Sequence, residues 1–76
     1  MVDRDALPFE SLFDGRDEPP GYVGLTTDAA ALRAENDGHP TRVIDPMKGG
    51  GLRMDYRPTR LNLLVADGVV QRAAFF

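Results

Sequence analysis

The side chains best suited to acid–base or nucleophilic chemistry are few and scattered in this chain. Its 76 residues include one histidine, His39, one serine, Ser11, and no cysteine. A serine nucleophile needs a base beside it, and Ser11 lies in an acidic stretch interrupted by prolines. His39 makes no recognised metal-ligand spacing with Asp37 or Asp45. We therefore expect no enzymatic activity, no bound metal and no cofactor.

Lys48 and the following glycines, Gly49–Gly51, raise the question of a phosphate-binding loop. The order is wrong for one, because the lysine precedes the glycines and no helical pattern follows to supply its N-terminus. Residues 46–60 carry four basic side chains against one acid, but the whole chain has a net charge of −3. So few basic groups in an acidic protein do not favour nucleic-acid binding.

The same glycines begin the most informative segment, which runs from Gly49 to Asn62 with the sequence GGGLRMDYRPTRLN. A glycine run leads into an extended stretch of mixed polarity, and that stretch leads directly into a predicted strand. Its backbone would face solvent while regular elements hold both of its ends. Proteases bind their substrates in such an extended conformation. The pattern therefore favours a protease-binding loop.

A helix is predicted before this segment, over residues 27–37. Thr26 offers a hydroxyl to cap the first amides, and Asp28 places a negative charge in the first turn. Gly38 is suited to the left-handed residue that ends a helix, and Pro40 prevents continuation.

Three strands are predicted around the segment. The first is 41–45, the second is 60–65 and the third is 69–73, with Asp67-Gly68 as a hairpin turn between the last two. The loop 46–59 is too long for a tight hairpin, so we expect the first two strands to pair in parallel. The predicted fold is α+β: one helix on a small mixed sheet of about three strands, with a long extended binding loop between the first two.

The predicted core combines the apolar face of the helix with one face of the sheet. In the second strand Leu61 and its alternate residues face the helix, whereas Arg60, Asn62 and Leu64 face away. The full predicted core is Val23, Leu25, Ala29, Leu32, Val43, Leu61, Leu63, Val65, Val70 and one of the terminal residues Phe75 and Phe76.

Residues 1–20 are predicted to be a flexible acidic arm, and residues 21–76 a single domain. The arm carries six acids and two arginines, and its prolines and Gly15 interrupt regular structure. Two interpretations of its apolar residues stay open: Leu7, Phe9, Leu12 and Phe13 could form a helical turn that docks on the domain, or belong to a loose tail.

The sequence contains no apolar run long enough to cross a membrane, and we expect no membrane partner. Its acidic N-terminus is not a secretory signal. A cytoplasmic location fits the sequence as written, and secretion stays open because a cleaved signal would not appear in it. The expected assembly is a monomer or a weak homodimer.

Three segments of the chain resemble one known family. They are Tyr22-Val23-Gly24-Leu25-Thr26, Arg42-Val43-Ile44, and the longer stretch from Met54 to Asn62 with the sequence MDYRPTRLN. Over about residues 21–74 the chain resembles serine protease inhibitors of the potato inhibitor I type, and most of all their short bacterial and fungal branch, which includes elastase inhibitors.

The resemblance implies a reversible inhibitor that binds a serine protease as a substrate would. The scissile bond would be Met54-Asp55, with Met54 in the primary specificity pocket. The reactive-site loop that contacts the protease would comprise Leu52, Arg53, Met54, Asp55, Tyr56 and Arg57, and Arg60 and Asn62 would support it from behind. An apolar residue in the pocket implies a target of the subtilisin, chymotrypsin or elastase type.

The chain departs from the family pattern at Arg53, where a threonine is usual, and in its glycine-rich stretch Gly49–Gly51. Glycines raise the entropy lost on ordering, so we expect weaker or more selective inhibition than in a tight family member. The alternative is a non-inhibitory protein-interaction module with the same fold. In that case the acidic arm could lie against the basic loop and regulate it.

Overall fold

The computed structural model describes residues 9–46 and 56–76 of the chain. It contains one α-helix, a short 3₁₀ helix and three strands. In chain order these are the 3₁₀ helix Glu10–Phe13, α1 Thr27–Asn36, β1 Thr41–Ile44, β2 Leu61–Ala66 and β3 Val69–Phe75. The predicted α+β class is confirmed, with one helix packed on a small mixed sheet. The central part of the predicted loop, residues 47–55, lies outside the described residues.

Both ends of α1 are fixed by the signals expected from the sequence. The Thr26 hydroxyl accepts a hydrogen bond from the Ala29 N–H at 3.2 Å. Gly38 has φ of 80° and donates to the Glu35 carbonyl at 3.0 Å, while the His39 N–H donates to the Ala34 carbonyl at 2.8 Å. These two bonds form a Schellman motif, in which a left-handed glycine ends the helix.

The sheet has the order β1-β2-β3, with β1 and β2 parallel and β2 and β3 antiparallel. Thr41 is paired with Leu61, and Ile44 with Leu64. The end of β1 therefore lies beside the middle of β2, a strand's length from the position where β2 starts. The connecting residues 45–60 join opposite ends of this strand pair, as a parallel connection must.

The hairpin between β2 and β3 turns at Asp67 and Gly68, which have φ of 54° and 76°. Two successive positive φ values are typical of the type I′ turn, which suits the twist of a hairpin. The strands also contain a bulge, because Leu64 pairs with Arg72 whereas the next residue, Val65, pairs with Val70. The extra residue of β3 brings Val70 onto the same side of the sheet as Ala73.

One side of the sheet, here called the helix face, packs against α1. Its buried residues are Tyr22, Ala30, Ala34, Leu61, Leu63, Val65, Val70 and Ala73, with Leu25 and Phe75 packed around them. The prediction was right for Leu61, Leu63, Val65 and Val70.

The predicted orientation of the helix was wrong. Ala30 and Ala34, one turn apart, face the sheet, and Leu32 points away from it with 59% of its surface exposed. Alanines let the helix approach closely, and the ring of Tyr22 packs in the cluster where Leu32 was expected. Val23, Ala29 and Val43, also predicted in the core, are exposed as well.

The other side of the sheet is here called the arm face. Residues 9–18, here called the N-terminal segment, pack against it. Phe13 is fully buried there with Ile44, Leu64, Ala74 and Phe76, and Leu12 packs at the edge of this second cluster. The Phe13 and Phe76 rings meet edge to face, with their centroids 5.2 Å apart. Of the two interpretations of the apolar residues in this segment, the structure shows the docked helical turn for Glu10–Phe13.

Candidate functional site

The predicted contact residues are divided by the boundary of the described structure. Leu52, Arg53, Met54 and Asp55 lie outside the described residues. Tyr56 and Arg57 are described and lie on the surface, and the Tyr56 side chain is among the most exposed large apolar groups, with 66% of its surface accessible. Tyr56 and Arg57 are thus accessible to a partner.

The 45–60 segment leaves β1 at its first end and enters β2 at its second. A tight turn at Arg57–Arg60, here called the second anchor, holds the end that enters β2. The Arg60 N–H donates to the Arg57 carbonyl at 3.0 Å, which closes a turn with Pro58 and Thr59 at its central positions. Proline at the second position of a β-turn presets the required φ. Directly after this turn the Leu61 N–H donates to the Pro40 carbonyl at 2.7 Å, so β2 is attached to β1 from its first residue.

Asn62 connects this anchor to the end of β3. Its side chain has no exposed surface and is the one buried polar side chain among the described residues. Its amide nitrogen lies within hydrogen-bond distance of the carbonyls of Phe76, Ala74 and Arg60, at 3.0, 3.2 and 3.4 Å. Because an unpaired buried amide is costly, these bonds fix the Asn62 side chain in one orientation.

Arg60, the other predicted support, reaches the same carbonyl. Its guanidinium nitrogen Nη2 donates to the Phe76 oxygen at 3.2 Å. The Phe76 N–H in turn donates to the Arg60 carbonyl at 3.3 Å. The two predicted support residues therefore converge on the backbone of Phe76, on the arm face of the sheet.

Arg42 also belongs to this site, and the sequence prediction did not include it. Its Nε donates to the Asn62 side-chain oxygen at 2.7 Å, and its guanidinium carbon lies 5.6 Å from the centre of the Phe76 ring. Arg42 and Asn62 are directly paired across the parallel strands. Aligning the two predicted strands at their first residues would have paired Arg42 with Leu61, because the observed second strand begins one residue later than predicted, at Leu61.

Phe76 was predicted only as one of two possible core residues. In the structure its carbonyl accepts bonds from Arg60 and Asn62, while its ring packs against Phe13 and lies 4.7 Å below the guanidinium carbon of Arg16. We call Arg42, Arg60, Asn62 and Phe76 the anchor cluster. It combines cation–π contacts with hydrogen bonds to one backbone carbonyl.

A second charged group lies on the arm face beside the anchor cluster. Arg72 pairs with three acids of the N-terminal segment: Glu18 at 2.6 Å, and Glu10 and Asp14 each at 3.2 Å. Hydrogen bonding to Glu18, then to Asp14 and Glu10, raises the pKa of the Arg72 guanidinium even though its partial burial acts in the opposite direction. The Arg72 side chain is only 23% exposed, so these pairs are partly shielded from water.

The polar side chains of the anchor cluster donate hydrogen bonds to backbone and amide oxygens, which is a positioning chemistry. His39 lies apart from them, where its ring meets that of Phe75 with the centroids 5.0 Å apart. In the described part of the chain, no group of three or more histidine, cysteine, aspartate or glutamate side chains could hold a metal ion. The described residues also include no helix with the length and apolar character needed to span a membrane.

Fold and site together define a small α+β domain in which residues 45–60 join two parallel strands, and in which the partly buried Arg60 and the buried Asn62 bond to the Phe76 carbonyl where the second strand starts. The sequence matches no family model, and comparisons with curated proteins and with solved structures find no match either.

Proposed function

We propose that this protein is a reversible, substrate-like inhibitor of a serine endopeptidase of the subtilisin, chymotrypsin or elastase type. The supporting observation is the parallel pairing of β1 and β2, which requires residues 45–60 to connect opposite ends of the strand pair. The second end of this connection is held by the anchor cluster. A segment attached in this way is suited to present an extended backbone to a protease groove.

In this proposal the Met54 side chain fills the primary specificity pocket, and the bond between Met54 and Asp55 lies at the catalytic serine. The neighbouring residues Leu52, Arg53, Tyr56 and Arg57 pair with the enzyme as an added strand. A segment that is already held loses less conformational entropy on binding, so affinity is gained without a larger interface.

The turn at Arg57–Arg60 explains how the protein would inhibit the protease and not simply be cleaved by it. If the catalytic serine attacks the Met54 carbonyl, the new amino terminus at Asp55 belongs to a segment that ends in this turn. Since β2 and the anchor cluster hold the turn, the leaving group stays near the acyl-enzyme. Re-formation of the peptide bond then competes with release and hydrolysis.

Titration of subtilisin, chymotrypsin, elastase and trypsin with the whole protein tests this function. We expect inhibition of at least one of the first three enzymes, and mass spectrometry of the complex should find any cleavage between Met54 and Asp55. Rapid hydrolysis of the chain at this bond, with no inhibition at tens of micromolar, would overturn the proposal.

The role of Met54 is tested by Met54→Gly. Because a side chain that fills a specificity pocket is a typical binding hot spot, we expect a loss of about 2 kcal/mol or more, which raises the inhibition constant by about 30-fold. Met47→Gly is the matched control, since it removes the same side chain outside the proposed contact stretch. Equal effects of the two substitutions would count against Met54 as the specificity residue.

A further inference from the structure

The N-terminal segment touches the anchor cluster through the ring of one residue. Phe76 receives bonds from Arg60 and Asn62 on its carbonyl oxygen, at 3.2 and 3.0 Å. The same residue packs its ring edge to face against Phe13 and beneath the guanidinium of Arg16. The position of the Phe76 carbonyl therefore depends in part on a ring that the N-terminal segment holds.

Arg72 holds this segment on the sheet. Glu10, Asp14 and Glu18 are spread over nine positions of the segment, and all three bind the guanidinium of Arg72. The Glu18 carboxylate also accepts the Ala73 N–H at 3.2 Å, and the Arg72 Nη2 lies 3.5 Å from the Phe13 carbonyl. One cation thus organises the turn that carries Phe13, because three acids would repel one another without it.

From these contacts we infer that residues 9–18 are a brace that holds the second anchor of the proposed reactive-site loop, with Phe13 and Arg72 as its positioning residues. Release of the brace removes Phe13 and Arg16 from the Phe76 ring and leaves that ring packed only on the sheet side. The Phe76 carbonyl is then freer to move, and the Asn62 and Arg60 side chains lose a fixed acceptor. The turn at Arg57–Arg60 opens more often as a result. The effect of the brace on inhibition rests on the proposed function, whereas its effect on the turn does not.

Hydrogen exchange of the Arg60 amide, measured by NMR on the whole protein, reports on the turn directly because this amide donates to the Arg57 carbonyl. We expect Arg72→Gln to accelerate this exchange by about tenfold or more through local opening, and Arg72→Lys to have an intermediate effect, because lysine keeps the charge but lacks the planar fork. Neutralising the three acids together, by Glu10→Gln, Asp14→Asn and Glu18→Gln, releases the segment without changing the sheet and should give a similar acceleration.

Ala34→Gly is the control, because it weakens the domain from the helix face, where Ala34 is fully buried. The brace is supported if Arg72→Gln accelerates exchange of the Arg60 amide much more than Ala34→Gly does, when the two variants have similar thermal stability. Equal acceleration by both substitutions would show only a general loss of stability and would overturn it. Unchanged exchange in both the Arg72→Gln and the triple variant would overturn it too.

The inhibition assay separates this inference from the proposed function. If the protein is an inhibitor and the brace holds its loop, Arg72→Gln weakens inhibition and speeds cleavage between Met54 and Asp55. Ala34→Gly then has a smaller effect on both. If the unmodified protein inhibits none of the four enzymes at tens of micromolar and is rapidly hydrolysed between Met54 and Asp55, but the Arg60 amide still responds to Arg72→Gln, the brace is supported and the inhibitory function is rejected.

Discussion

The two faces of the three-stranded sheet are built from different interactions. The helix face buries apolar side chains and the ring of Tyr22 beneath α1. The arm face also has an apolar centre, formed around Phe13 and Phe76, but it contains buried Asn62 and the partly buried Arg42, Arg60 and Arg72. Both faces belong to the same strands, so the alternation of side chains along β2 places two different environments back to back.

This difference separates stability from positioning. Apolar packing is non-directional, and it holds α1 on the sheet without specifying the place of any single polar atom. Hydrogen bonds of the anchor cluster are directional, and they fix the Arg57–Arg60 turn and the Phe76 carbonyl relative to each other. The helix face therefore stabilises the fold without directing any polar atom, and the arm face is the side that can control the proposed loop.

The largest expected effect compares two neighbouring leucines of β2. Leu63 lies on the helix face and Leu64 on the arm face, and both are fully buried. We expect Leu63→Ala to lower the free energy of unfolding by about 3–5 kcal/mol and Leu64→Ala by about 2–3 kcal/mol. α1 can approach the cavity only by a shift of the whole ten-residue helix, whereas the short 3₁₀ turn of the N-terminal segment can adjust locally to fill part of it. Urea denaturation of the two variants measures this difference.

The slope of the denaturation curve serves as a control in this experiment. An unchanged slope shows that both variants expose similar surface on unfolding, so that their midpoints can be compared. A larger loss from Leu64→Ala than from Leu63→Ala would mean that the arm face is the more rigid of the two, contrary to the division described above.

A smaller effect is expected from Asn62→Ala, which changes the polar centre of the arm face. The substitution removes an amide from the Ala74 and Phe76 carbonyls and an oxygen from the Arg42 guanidinium. We expect a loss of about 1–3 kcal/mol in stability, because these buried groups lose their partners. Thermal unfolding measures the loss of stability, and the rate of cleavage by one of the four test proteases, subtilisin, measures the effect on the proposed loop.

Asn36→Ala is the matched substitution at an exposed position, the last residue of α1. It should change stability by less than about 0.5 kcal/mol. If the two asparagine variants have equal stability and equal cleavage rates, the anchor cluster has no positioning role.

The two faces also differ in how much of them could be predicted from the sequence. Local signals determine the elements of the helix face: Thr26 caps the start of the helix, Gly38 ends it, and Asp67-Gly68 closes the hairpin. The alternation of side chains along the strand then placed Leu61, Leu63 and Val65 correctly on the helix face. The rotation of α1 was mispredicted because Ala29 and Leu32 were expected to face the sheet, whereas Ala30, Ala34 and Tyr22 fill that space.

The arm face depends on contacts that no local pattern reveals. Arg72 binds acids that lie 54 to 62 positions earlier in the chain. A single arginine in a predicted strand gives no indication of such partners, since an exposed arginine is the more common case. Asn62 and Arg60 were assigned to loop support through a family resemblance, and their partners on Phe76 became visible only in the structure.

The smallest expected effect concerns the hydrogen bond between Tyr22 and Asp37 at the rim of the helix face. Burial, together with the hydrogen bond from its hydroxyl to Asp37 at 2.5 Å, raises the pKa of Tyr22 above its usual value near 10. The folded state thus holds its phenolic proton more tightly than the unfolded state. Its contribution to stability is complete below about pH 10 and decreases as the pH rises through the folded pKa.

Tyr22→Phe should therefore make the stability of the domain less sensitive to pH above about 10, at a cost of about 1 kcal/mol at neutral pH from the lost hydrogen bond. Thermal melts between pH 8 and pH 11 compare this variant with Tyr56→Phe, which changes an exposed tyrosine. Tyr56→Phe should still lose stability as the pH rises above about 10. An identical alkaline loss in both variants would show that Tyr22 is not its source. Because the Tyr22 ring belongs to the apolar cluster of the helix face and its hydroxyl bonds to Asp37, the Arg60 amide should exchange at the same rate in Tyr22→Phe as in a helix-face variant of equal stability.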